Sequence, residues 1–117
     1  MEWNTIEYEK ENGEKPVSEW LDSLPPKGSS KVLEDIEKLE QFGLRWGMPH
    51  VRHMGDGIWE LRTKQGNNIY RVFMFRWYDT ILVLTHGLTK KSEQTPKGEI
   101  KRAIRYRDDW LKRKGEK

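Results

Sequence analysis

Apolar residues change period several times along this chain. Glu2–Tyr8 alternates, with Trp3, Thr5 and Glu7 on one side and Ile6 and Tyr8 on the other. This predicts a strand, closed by the turn-like Glu11-Asn12-Gly13. From Pro16 the period lengthens. Val17, Trp20, Leu21 and Leu24 recur at helical spacing. Pro16 suits a first helical position, where its missing N–H costs nothing, and Pro25-Pro26 stops the helix. After Lys27-Gly28-Ser29-Ser30, the positions Val32, Leu33, Ile36 and Leu39 predict a second helix, ended by Gly43. Gly47–Val51 reads as a loop.

Alternation then returns over Gly57–Lys64. Gly66-Asn67 is a favoured two-residue hairpin turn, because glycine accepts the positive φ of a type II′ turn. Ile69–Trp77 is rich in aromatic and branched residues, Tyr78-Asp79 reads as a second tight turn, and Thr80–His86 as a third strand. Thr95 as N-cap and Pro96 open a last helix with Ile100, Ala103, Ile104 and Leu111 on its apolar stripe. The order β-α-α-β-β-β-α predicts one α+β domain over residues 1–117, an antiparallel sheet with its helices packed on one face.

These turns set a register. The first opposes Arg62 to Arg71, Glu60 to Phe73 and Leu61 to Val72. The second opposes Arg71 to His86, Phe73 to Leu84 and Met74 to Val83. Trp59, Leu61, Tyr70, Val72, Met74 and Val83 are then expected under the helices. Arg62, Arg71 and His86 form a row on the other face. Two like charges directly opposed cost about 0.2–1 kcal/mol, so the pairing calls for a reason.

Composition narrows the reasons. Charged residues make up 35% of the chain and hydrophobic ones 34%, yet six Trp, four Tyr and three Phe argue for a folded core. No cysteine is present, which excludes disulfides, thiolate metal sites and a cysteine nucleophile. The acidic start lacks the apolar stretch of a signal peptide, and no apolar run spans a bilayer. A cytoplasmic protein without a membrane partner is expected. The net charge of +3 is unevenly placed. Residues 1–43 hold 5 Lys/Arg against 11 Asp/Glu, and residues 44–117 hold 17 against 8. The basic remainder suggests a polyanionic partner.

Two arginine forks suit phosphate oxygens, and a histidine exchanges protons near neutrality. Lys90 and Lys91 follow His86-Gly87-Leu88-Thr89. Such a set fits RNA cleavage by the ribose 2′-hydroxyl. That reaction needs a proton acceptor, cations on the pentacoordinate phosphate and a donor to the leaving oxygen, with no metal or other cofactor. A phosphate between Arg62 and Arg71 would explain their opposition. The plainer alternative pairs both with Glu60 and other nearby carboxylates. His50 and His53 lack a third convergent ligand for a metal. Glu99 and Asp108-Asp109 read as helix surface, and Trp20, Trp59 and Trp110 as core.

Several segments resemble the RelE/HigB-like toxins of type II toxin–antitoxin modules, in the phage-derived branch of the RelE/ParE superfamily. They are Val17-Ser18-Glu19-Trp20-Leu21, Gly57-Ile58-Trp59-Glu60-Leu61-Arg62, Tyr70-Arg71-Val72, His86-Gly87-Leu88-Thr89-Lys90-Lys91 and Gln94-Thr95-Pro96, continued by Glu99-Ile100 and Ala103. The resemblance implies a small RelE-like fold and a ribosome-dependent mRNA endoribonuclease, an mRNA interferase that inhibits translation. It implies a cognate helix-turn-helix antitoxin as partner, beside ribosome and mRNA. The toxin would be a monomer or part of a toxin–antitoxin hetero-oligomer. Arg62, Arg71, Lys91 and His86 are the expected catalytic residues, and Lys90, Arg76 and Lys64 the expected RNA-phosphate contacts. Two alternatives stay open: a ParE-type gyrase-inhibiting toxin without nuclease activity, and a non-catalytic RNA-binding module.

Overall fold

The computed structural model describes residues 2–90 and 94–115. Among them the chain forms β1 (Asn4–Glu7), α1 (Pro16–Asp22), α2 (Pro26–Phe42), a 3₁₀ turn (Gly43–Trp46), β2 (Val51–Gly55), β3 (Ile58–Gln65), β4 (Asn68–Tyr78), β5 (Ile81–Lys90) and α3 (Lys97–Lys114). The strands make one sheet in the order β1-β5-β4-β3-β2. The α+β class is as expected, and the details add to it or correct it.

An additional strand, β2, pairs antiparallel with β3, Val51 against Leu61 and His53 against Trp59. Its connection is Asp56-Gly57, with φ of 54° and 77°. Positive φ at both positions is what a type I′ hairpin turn requires, and Asp-Gly is among the strongest signals for it. The sheet is also mixed rather than wholly antiparallel. β1 lies parallel to β5, with Asn4 against Ile81 and Glu7 against Leu84. The α2 helix starts earlier than its apolar stripe suggests, because Pro26 occupies its first turn after Pro25 as cap. Gly28 is therefore helical, and it lies where Tyr70 needs room: a Cβ there would fall 2.5 Å from the Tyr70 hydroxyl.

The helices do not share a face. The α1 and α2 helices bring Val17, Val32 and Leu39 over Leu61, Tyr70, Val72, Met74, Leu82 and Leu84. On the opposite side, Ala103 and Trp110 of α3 pack with Tyr8, Ile58, Phe73, Phe75 and Val83. The central strand β4 is accordingly buried without a break from Ile69 to Phe75. Apart from Arg71 the buried residues are apolar on both faces, the mark of a strand covered on both sides.

The first hairpin has the expected register: Arg62 opposes Arg71, Glu60 opposes Phe73 and Leu61 opposes Val72. The second does not. Its turn is Asp79-Thr80, so Arg71 faces Leu88, Phe73 faces His86 and Met74 faces Leu84. The register shifts between Phe73 and Met74, leaving Thr85 as the extra residue of a β-bulge. Val83 and His86 thus both reach the α3 side, while Leu82 and Leu84 take the α1/α2 side that Val83 was expected to fill. Beyond the bulge Gly87 lies directly beneath the Trp20 ring, leaving no room for a Cβ.

Substitution Gly87→Ala is expected to cost about 1–3 kcal/mol through overpacking against Trp20. Gly98→Ala, in α3 with open space around its Cα, should instead add about 0.5 kcal/mol. Urea unfolding midpoints of the two variants check both directions.

Candidate functional site

The side of the sheet beneath α3 carries a cluster of buried charge. Alternation along β3 puts Glu60 and Arg62 on one face, and the hairpin register sets Arg71 beside them. Glu60 and Arg71 have no exposed side-chain surface, and Arg62 is only 9% exposed. The Arg71 Nε lies 3.1 Å from Glu60 Oε2, and Arg62 Nε lies 3.5 Å from Oε1. The Thr95 hydroxyl donates to Oε2 at 2.5 Å.

One carboxylate therefore stands between the two arginines, in the place where a phosphate was expected. Glu60 reaches both because Arg62 is its next neighbour on the same face and Arg71 its diagonal neighbour across the hairpin. The repulsion between opposed cations is offset inside the protein. Buried charges survive only when paired and hydrogen-bonded. Thr95 supplies such a bond, so its hydroxyl serves Glu60 rather than capping α3, whose N-cap is Pro96.

A second polar pair lies on the same face. The bulge at Thr85 turns His86 toward α3, where its ring stacks on Phe73 at 4.8 Å and 21°. Tyr106 meets it edge-on at 5.6 Å. His86 Nε2 lies 3.0 Å from Glu99 Oε1, and Nδ1 lies 3.1 Å from the Thr85 hydroxyl. Burial pushes the imidazole down to about 4, against the upward pull of Glu99, with Arg102 and Arg105 adding to the downward shift. The ring is thus neutral at pH 7. As a neutral ring it donates Nε2–H to the Glu99 carboxylate, while Nδ1 lies beside the Thr85 hydroxyl, which itself donates to the Phe73 carbonyl at 3.2 Å. His86 is buried, whereas the Glu99 side chain keeps 19% of its surface, so Glu99 is the solvent-facing end of the pair.

Arg62, Arg71 and His86 share a face, although His86 stands opposite Phe73 rather than Arg71. Lys90 is exposed at the end of β5, and Lys64 is exposed near the first hairpin turn. Arg76 is apart from them. It lies near the second turn, where its Nε donates to the Asp79 carbonyl at 2.7 Å and its guanidinium sits 5.1 Å over the Trp3 ring. Lys91 lies outside the described residues. The histidines of the β2 region are taken up by tryptophans: His50 stacks on Trp46 at 4.1 Å and His53 packs on Trp59 at 4.6 Å. Thr95 and Glu99 were the residues whose part here was missed. Each lies on or just before α3, and placing the helix on the other face of the sheet hid both.

The model of the family described as "Phage derived protein Gp49-like (DUF891)" matches residues 19–108. The chain belongs to that family, which is one of RelE-like toxins. A solved structure similar to it is the archaeal RelE–RelB complex from Pyrococcus horikoshii OT3. The identity is 15%, over 80% of this chain and 100% of that one, with a TM-score of 0.48. A search of curated proteins returns no match.

Two outcomes follow from the buried groups. Glu60→Ala leaves Arg71 buried without its carboxylate and is expected to cost about 3–5 kcal/mol, read by urea unfolding. For His86, the folded value near 4 lies below the ordinary 6.5, so the unfolded chain binds the proton first. Its contribution to stability is complete above pH 6.5 and is lost as pH falls toward 4. His86→Phe should flatten the slope of the unfolding midpoint across that window.

Proposed function

We propose that this protein is the toxin of a type II toxin–antitoxin module and acts as a ribosome-dependent, metal-independent mRNA endoribonuclease. Membership of the Gp49-like family of RelE-like toxins carries the reading. The residues beneath α3 support it, since they contain the groups the reaction needs. The ribose 2′-oxygen attacks the adjacent phosphorus, the bond to the 5′-oxygen breaks, and a proton leaves one oxygen and joins the other.

In this reading Arg62, the more exposed of the two arginines, meets the phosphate and stabilises its developing charge. Arg71 is a positioning residue. It holds Glu60, and Glu60 holds Arg62. Glu99 and His86 act as one proton-handling pair, with Glu99 toward the substrate and His86 fixing its carboxylate from behind. Lys90, exposed at the end of β5, adds positive potential, and Lys91, the next residue, is proposed as a further cation for the phosphate. The ribosome orders the mRNA in its decoding site. A helix-turn-helix antitoxin is the proposed partner that restrains the toxin.

The test is cleavage of mRNA in a translating extract, with and without ribosomes, and with 5′ ends mapped by primer extension. Wild type should cut within the decoding-site codon only when ribosomes are present. Arg62→Ala should cut about 100-fold more slowly while remaining folded. Uncut mRNA with the wild-type protein overturns the nuclease reading. A DNA supercoiling assay then tests the gyrase alternative.

A further inference from the structure

The sheet edge at β3 carries a second cationic feature, on the side of α2. Beyond Leu61, β3 outruns β2, whose pairing ends at Val51, and the Arg62 N–H closes on the His50 carbonyl at 2.8 Å. A cleft of about 380 Å³ opens there, lined by Lys31, Asp35, Lys38, Pro49, His50, Arg62 and Lys64. Ligand-holding clefts in proteins typically measure about 300–1,000 Å³. Four of the seven lining residues are permanent cations, drawn from α2 and β3. The one acid among them, Asp35, is 3% exposed and accepts a hydrogen bond from Thr63 at 2.7 Å. Lys31 and Lys38 both reach Glu34, at 3.2 and 3.3 Å, and Lys31 also lies 3.7 Å from Asp35, so the four cations of the lining face two carboxylates.

The lining also decides the kind of ligand. A docked peptide needs aromatic or aliphatic anchors in apolar pockets, and Pro49 is the single aliphatic wall here. The other flat surface is the His50 imidazole, backed by Trp46 at 4.1 Å. Cations beside a planar ring suit a nucleotide unit, whose phosphate takes the charges and whose base takes the ring. Arg62 belongs both to this cleft and to the Glu60 cluster on the other side of the edge strand.

We propose that the cleft between α2 and the β3 edge binds a nucleotide of single-stranded RNA through Lys31, Lys38 and Lys64. The strand then passes around the β3 edge to Arg62. This deepens the nuclease reading and rests on its assignment of RNA as the ligand.

Fluorescence anisotropy tests it without requiring cleavage. The probe is a short fluorescein-labelled single-stranded oligoribonucleotide, titrated at several salt concentrations. A poly-glutamate peptide of similar length provides the carboxylate arm. Variants are Lys31→Ala/Lys38→Ala and Lys64→Ala, with Lys112→Ala on α3 as control and Lys38→Arg to restore the charge. All the substituted side chains lie at the surface, and circular dichroism checks that each variant folds. The expected result is weaker RNA binding and a shallower dependence of log K on log salt, by about 0.7 for each phosphate contact removed. Lys38→Arg should restore it and Lys112→Ala should leave it unchanged. That result supports the cleft whether or not the extract assay detects cuts, so the two readings fail separately. Wild-type affinity and slope in both cleft variants overturn it. So does an equal loss in Lys112→Ala, or a loss confined to poly-glutamate.

Discussion

The buried carboxylate of Glu60 is the constraint on which this molecule turns. It lies within a sheet, beneath a helix, with two guanidinium groups beside it. Removing a charge from water costs several kcal/mol even after relaxation, so the cluster persists only while each member is met. That requirement fixes the register of β3 against β4, since a one-residue slip would send Glu60 to the opposite face. It also reaches beyond the hairpin. The hydroxyl of Thr95 ties the start of α3 to β3. Further along the helix Glu99 meets His86 at 3.0 Å, and near its end the Tyr8 hydroxyl donates to Asp109 at 2.7 Å. Only Ala103 and Trp110 of α3 are fully in the core. Polar tethers at three points along its length therefore do much of the work of orienting it.

That arrangement bears on how the site is assembled. The two arginines are not equivalent, though the sequence presents them as a matched pair. Burial converts Arg71 into part of the framework, while Arg62 stands nearer the surface and touches both the charge cluster and the α2 cleft. A histidine that looked like a free proton carrier is buried, neutral and backed by a threonine. In the proposed reading the chemistry moves outward by one residue in each case, from Arg71 to Arg62 and from His86 to Glu99.

How far the sequence announced this depends on the kind of signal. The Gly66-Asn67 turn and its register were legible because turn chemistry is local: Gly66 takes φ of 62° and the pairing follows. The second hairpin was not, because a bulge at Thr85 leaves no mark in the alternation on either side of it. Two departures then cancelled. The turn lies one residue later than expected, which moves the pairing by two residues and so keeps the faces, and the irregularities at Trp77 and Thr85 offset one another, so His86 still shares a face with Arg71. Asp56-Gly57 was a readable hairpin signal, yet the exposed polar residues Arg52 and His53 hid the strand before it. The placement of α3 was also present, in the run of β4 from Ile69 to Phe75, which is apolar on both faces apart from Arg71. A strand apolar on both faces needs cover on both, and reading the run as one covered face put all three helices together. Charge by thirds of the chain was a poorer guide, since Lys31 and Lys38 of the cationic cleft come from the acidic part.

The pairing of β1 has a consequence in time rather than in space. Its sheet neighbour is β5, so Asn4 waits for Ile81 and Glu7 for Leu84. Before then β1 meets the first two helices, through the Trp3 N–H on the Glu40 carbonyl, Thr5 on the Glu40 side chain and the Ser18 hydroxyl on Glu7. Chains are synthesised from the N-terminus, and domains fold as units. The first strand made is thus among the last to be seated, and α3, which closes the opposite face, comes later still. A protein proposed to act on ribosomes is, by its own topology, unfinished for as long as one is still making it.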